Sequence, residues 1–165
     1  MEFLRDLRAA MIKYGKENIV YFDESGFETE AYRPHGWARR GTKVHGDICG
    51  NNRKRTNLIM AQRSKQWLAP MLFKGSCSAE VVNMWLKRML LRELKEPSVI
   101  VMDNARFHKK DEIEEILKQK GHIMLPLPTY SPDFNPIEQS FAIIKKRRQF
   151  AKKQNALEDI LMRNC

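Results

Sequence analysis

Residues 98–104 read SVIVMDN. Four apolar residues, Val99 to Met102, stand in a row and run into an acid. A short run of this kind, rich in β-branched residues and lacking alternation, predicts a strand covered on both faces. The flanking segments supply the cover. Residues 78–94, SAEVVNMWLKRMLLREL, form an amphipathic helix with Ser78 as N-cap, Val82, Trp85, Leu86 and Met89 on the apolar face, and Pro97 beyond its end. Residues 109–121, KKDEIEEILKQKG, form a second helix, closed by Gly121.

Working outward, ENIVYFDES (17–25) is another buried strand ending in acids, and residues 3–14 are a short helix before it. TNLIMAQ (56–62) and QWLAPMLFK (66–74) are two strands joined by a polar turn at Arg63 to Lys65. HIMLPLP (122–128) is a last short strand, and NPIEQSFAIIKKRRQFAKK (135–153) a long helix, with Asn155 capping a further short one. Three early strands followed by alternating helices and strands predict an α/β fold. The expectation is a ribonuclease H-like mixed sheet of five strands, with helices on both faces. Residues 28–55 interrupt it after the first strand as a Gly-, Arg- and Lys-rich hairpin or arm. There is no repeat and no linker, so residues 1–165 are expected to be one domain.

Composition narrows the function. The formal net charge is +10, an excess that favours a polyanionic partner, most often nucleic acid. No apolar run reaches the roughly 18 to 20 residues of a membrane span, and the N-terminus lacks an apolar signal-peptide core. A cytoplasmic protein is expected. Cys49, Cys77 and Cys165 are odd in number and widely spaced, so neither a disulfide framework nor a zinc site is indicated.

Three acids stand in unusual places. Asp23 ends the first strand, Asp103 ends the fourth, and Glu138 lies in the first turn of the long helix. In the expected topology the first and fourth strands are central neighbours, with their carboxyl ends on one crevice. Converging carboxylates repel one another unless a cation neutralises them. Hard oxygen donors suit Mg²⁺ or Mn²⁺, and two such ions support in-line displacement at a phosphodiester. Two of these assignments have rivals. Glu24 competes with Asp23, because successive strand residues face opposite ways and only one can enter the site. Asp133 competes with Glu138, because NPIE also reads as a capping box with Asn135 at N-cap and Glu138 at N3. Local chemistry alone leaves both choices open.

The motifs YFDESGF, HGWARRG, VMDNARFH and LPTYSPDFNPIEQSFAIIKK resemble the catalytic domain of DDE transposases, in the bacterial insertion-sequence branch of the mariner-like superfamily. The resemblance runs from about Tyr21 to Arg148. It implies Asp23, Asp103 and Glu138 as catalytic metal ligands. The 34 residues between Asp103 and Glu138 (104 to 137) match that branch. It implies hydrolysis of DNA at transposon ends and strand transfer into target DNA, with Mg²⁺ or Mn²⁺, two ions per site. Asn104 and Asn135 are expected to support the carboxylates, and Asn104 and His108 to orient Asp103 or touch a phosphate. Arg39, Arg40, Lys43, Arg53, Lys54, Arg55, His108, Lys145, Lys146, Arg147 and Arg148 are the candidate DNA contacts. Double-stranded DNA is the expected partner, in a homodimer formed through the arm, in the bacterial nucleoid. The helix-turn-helix domains that precede this domain in the family are absent from these residues, which implies a separate recognition domain. The rival classes are a non-catalytic DNA-binding or dimerisation remnant and a general ribonuclease H-like nuclease.

Overall fold

The structure, a computed structural model, describes residues 2–28, 38–43, 55–105, 108–129, 131–150 and 157–162, and all but the side chain of Pro132 among them. Helix α1 (Glu2–Tyr14) leads into β1 (Ile19–Glu28), then β2 (Arg55–Arg63) and β3 (Gln66–Lys74). Helix α2 (Ala79–Trp85) continues through a π turn (Leu86–Leu90) into α3 (Leu91–Glu93). Strand β4 (Val99–Met102), α4 (Lys110–Lys118), β5 (Ile123–Pro126), α5 (Ile137–Phe150) and α6 (Leu157–Met162) complete the order. The five strands form one mixed sheet in the order β3-β2-β1-β4-β5, antiparallel on the β2 and β3 side and parallel across β1, β4 and β5. This is the ribonuclease H-like arrangement expected.

Period-two alternation divides the core into two faces. Val20, Phe22, Ile59, Ala61, Ile100 and Met102 pack with Val82, Trp85, Leu86, Leu90, Ile113 and Leu117 from α2, the π turn and α4. On the other face Phe27, Leu58 and Met60 pack against Ile137, Phe141 and Ile144 of α5 and Leu157, Ile160 and Leu161 of α6. Ile19, Val99 and Val101 meet Phe3 and Ala10 of α1 there. Trp85 is fully buried and donates its indole N–H to the carbonyl of Ala69 at 2.7 Å. Ala69 itself sits in the left-handed region (φ 49) at a break in the β2–β3 register, and its amide donates to Glu93. The bulge and the tryptophan therefore lock each other.

Three local expectations are revised. The helix face drifts: Leu90 is fully buried, while Met89 is only partly so. The π turn adds a residue to that turn and carries the apolar stripe from 89 to 90. The first strand also does not end at its acids. β1 pairs with β4 only from Ile19 to Tyr21, but with β2 as far as Glu28. Asp23 and Glu24 therefore lie inside a ten-residue strand, on the stretch that has outrun β4. The long helix is capped by backbone rather than by the expected box. Glu138 N–H donates to the carbonyl of Asn135 at 3.2 Å, while the Asn135 side chain turns elsewhere.

Of the expected arm, only residues at its ends and 38–43 are among those described. Arg39, Arg40 and Lys43 are exposed around a turn in which Thr42 N–H donates to the Arg39 carbonyl. Arg53 and Lys54 lie outside the described residues, as do Cys49, Cys165 and Asn155. Among the described residues, no helix is long and apolar enough to cross a membrane.

Candidate active site

Tyr21 lies opposite Val101 in the parallel β1–β4 pair. Two residues beyond that pair, where the strands no longer pair, stand Asp23 in β1 and Asp103 just past the end of β4. Both continue the row Ile19, Tyr21, Val99 and Val101, so both belong to the face covered by α1 and α5. Neighbouring strands run about 5 Å apart, so this placement brings the two acids close. Glu138 arrives from the first turn of α5, beside the buried Ile137 and Phe141 that fasten the helix to the same face.

The helix is also held by a polar clamp. Ser140 donates to Gln62 Oε1 at 2.6 Å and accepts from the Trp67 indole at 3.1 Å, while Gln62 donates to the carbonyl of Ser64. Every member has a partner, so the clamp fixes the rotation of α5 one half-turn from Glu138 without an unsatisfied group. No local pattern signals it, because its members come from three separate segments.

Each acid is held differently. Asp23 Oδ1 accepts the Glu24 amide at 2.7 Å, and its Oδ2 accepts Nδ2 of Asn135 at 3.2 Å. Burial pushes the Asp23 carboxyl up to about 8. The neighbouring charge of Glu24 adds to this, the Glu24 amide opposes it, and Asp103 and Glu138 raise it further. Asp133, the sequence rival of Glu138, is exposed in a short 3-10 turn (Pro132–Phe134) and is not among the carboxylates acting on Asp23. Burial also works to raise Asp103, but the hydrogen bonds of His108 and of the Ala105 amide, with the charges of His108 and Lys110, outweigh it and leave its pKa below the ordinary value.

His108 is buried, with Nδ1 3.1 Å from Asp103 Oδ1 and Nε2 3.7 Å from Glu24 Oε1. Burial lowers its pKa, but Asp103 and Glu24 more than compensate and lift it to about 9. Expected among the DNA contacts, His108 is 5% exposed and faces carboxylates instead of solvent. Glu24 belongs to the opposite row of β1, with Val20 and Phe22, and so faces away from α5. Asn104 does not touch Asp103. Its amide donates to the carbonyl of Leu127 and its Oδ1 accepts Lys110, which ties the loop after β4 to the segment after β5.

The candidate cations divide. Lys145, Lys146 and Arg147 are exposed along α5. Arg148 is half-buried, stacks with Lys145 over the Phe27 ring, and senses Glu158 of α6, so part of its role is packing. Arg55 opens β2 and lies across Gly26, where a Cβ would collide with its guanidinium.

Among the described residues, no three His, Cys, Asp or Glu side chains are drawn together tightly enough to enclose a metal ion. The donor set nonetheless fits a hard divalent cation. It offers three carboxylates on one face, no thiolate among them, and a buried Asp23 whose ionised form is costly without a countercharge.

A family model described as DDE superfamily endonuclease matches residues 18–160. The chain belongs to the DDE superfamily endonucleases. None of the curated proteins compared with it matches. Solved structures of Mos1 share its fold. The Mos1 mariner paired-end complex with Mn superposes with a TM-score of 0.76 at 20% identity, covering 98% of this chain and 51% of that one. The Mos1 strand transfer complex gives 0.75 at 19% identity, covering 98% and 50%. The isolated catalytic domain of Mos1 mariner transposase gives 0.65 at 18%, covering 98% and 74%. The chain thus spans about half the length of the Mos1 chains in those complexes.

Proposed function

We propose that this DDE-family domain is the catalytic domain of a transposase, one that hydrolyses DNA phosphodiesters at transposon ends and transfers the freed strand into target DNA. What carries the reading is that Asp103 and Glu138 both act electrostatically on the buried Asp23, where β1 outruns β4 and α5 begins. Asp23, Asp103 and Glu138 would hold the divalent metal, the first two from neighbouring strands and the third from the helix. Bound there, Mg²⁺ or Mn²⁺, two ions on this reading, supply the Lewis acidity that polarises the phosphodiester and makes water a nucleophile at neutral pH. The Mos1 relatives have been solved with Mn and with Mg, which supports the choice of ion.

The remaining residues position and neutralise. Asn135 holds Oδ2 of Asp23, and the Gln62–Ser140–Trp67 clamp holds the helix that presents Glu138. Exposed cations on α5 (Lys145, Lys146, Arg147) and at Arg39, Arg40 and Lys43 suit the phosphate backbone of double-stranded DNA, which fixes register without reading sequence. A Mos1 transposase paired-end complex solved with the left transposon end shares this fold, in keeping with a DNA substrate here. On this reading the domain works in the bacterial nucleoid, as a homodimer through the segment between β1 and β2, with end recognition supplied by a separate domain.

The test is nicking of supercoiled DNA with Mn²⁺ or Mg²⁺, set against cleavage of an RNA/DNA hybrid. Metal-dependent nicking that Asp103→Ala removes supports the reading. Preference for the hybrid points to a general ribonuclease H-like nuclease. Binding of DNA without cleavage under any divalent metal points to a non-catalytic module.

A further inference from the structure

Asp23 and Glu24 are neighbours in β1 and therefore serve opposite faces of the sheet. Glu24 turns toward the layer of Phe22, Trp85 and α4. Its side chain is 18% exposed, and Oε2 is buried with no hydrogen-bond partner among the described residues. A carboxylate in such a place is costly unless a cation meets it. The imidazole of His108 lies 3.7 Å from Oε1, too far for a hydrogen bond.

The imidazole has little freedom. Its ring packs on Phe22 with centroids 6.0 Å apart, and its backbone N–H closes a turn onto the carbonyl of Ala105 at 3.1 Å. From that seat its Nδ1 reaches round the end of β4 to Asp103 Oδ1, at 3.1 Å. The same oxygen also accepts the Ala105 amide at 3.2 Å. The His108 ion pair and the Ala105 hydrogen bond thus both fall on Oδ1, and Oδ2 is left as the oxygen for a cation. Rotating the carboxylate would break both contacts together.

The geometry points to His108, seated by Glu24, as the positioning residue that makes Asp103 present a single oxygen to the metal. The two acids of YFDES would then divide the labour, Asp23 as ligand on one face and Glu24 acting through His108 from the other. The inference rests on the transposase-type metal site proposed above and deepens it.

The test measures Mn²⁺ affinity in the presence of a DNA duplex, together with Mn²⁺-dependent nicking and thermal melting. The proteins are the wild type, Asp103→Ala, His108→Ala, His108→Asn and Glu24→Gln. His108→Asn keeps a side-chain N–H donor near the position of Nδ1. Loss of a group that orients a metal ligand costs about 10- to 100-fold in metal affinity. His108→Ala is expected to weaken Mn²⁺ by that much. His108→Asn should recover most of the loss, and Glu24→Gln should fall between.

Equal Mn²⁺ loss in His108→Ala and His108→Asn would overturn the inference, since the donor would then not matter. So would wild-type Mn²⁺ affinity in His108→Ala while Asp103→Ala binds none, an outcome that leaves the metal site itself standing. If Asp103→Ala retains full affinity and nicking, the metal site is wrongly assigned, and the inference falls with it.

Discussion

Each end of β4 is met by a buried histidine, and the two are perturbed in opposite directions. At the amino end His122 accepts the Ser98 amide on Nδ1 at 3.0 Å, and burial lowers its pKa below the ordinary 6.5. At the carboxyl end His108 lies between Asp103 and Glu24, and its pKa rises to about 9. The same side chain is a neutral acceptor in one place and a cation in the other. At the amino end one acceptor meets one donor. At the carboxyl end burial, with the added charge of Glu24, Asp103 and Glu138, pushes Asp23 up to about 8. An end in polar balance serves the fold. An end with surplus charge has a use for a ligand that the chain does not itself supply.

The contrast breaks first on the carboxylates. Asp23→Ala, Asp103→Ala and Glu138→Ala should each cut metal-dependent nicking on the order of a thousandfold or more. Melting should not fall in Asp23→Ala, which removes a carboxylate whose ionised form burial penalises. Asp133→Ala should keep wild-type nicking. If Asp133→Ala is inactive and Glu138→Ala active, the helix start has been assigned to the wrong acid. Next in size is Asn135→Ala, which removes the amide on Asp23 Oδ2. Its Oδ1 has no partner among the described residues, so little stability is at stake. Mn²⁺ affinity should fall about 10- to 100-fold.

The amino end should behave in reverse. His122→Phe keeps a ring in the site but strands the Ser98 amide, which costs about 2 kcal/mol by denaturant unfolding. Nicking below the melting range should stay at the wild-type rate. Loss of nicking in a folded His122→Phe protein would show that the two ends are coupled through β4.

The sheet was legible because its strands are short apolar runs bounded by turns, and their order leaves few topologies. The acids were legible as a set for the same reason. The assignments that failed depended on distant partners. Nothing near Asn104 shows that its amide will turn to the carbonyl of Leu127, 23 residues away. Alternation says that Asp23 and Glu24 diverge, but which face receives α5 is a tertiary fact. The length of β1 is set by its pairing with β2, which the apolar run alone does not reveal. That His108 could orient Asp103 was legible from its place after β4, but its contact with Glu24 of β1 was not.

The smallest expected effect separates the two histidines by pH. His122 has its folded pKa depressed, so the unfolded chain takes up a proton there more readily than the native one. Its contribution to stability is present above 6.5 and is lost as pH falls through the lower folded value. Protonation would also place a donor against the Ser98 amide. The melting temperature should therefore drop between neutral pH and pH 5.5, and His122→Phe should drop less over that interval because it has no proton to gain. The carboxylates at the other end are common to both proteins and cancel in the difference. An identical slope in the two proteins would mean that His122 does not titrate with folding, and the amino end would lose its distinction from the carboxyl end.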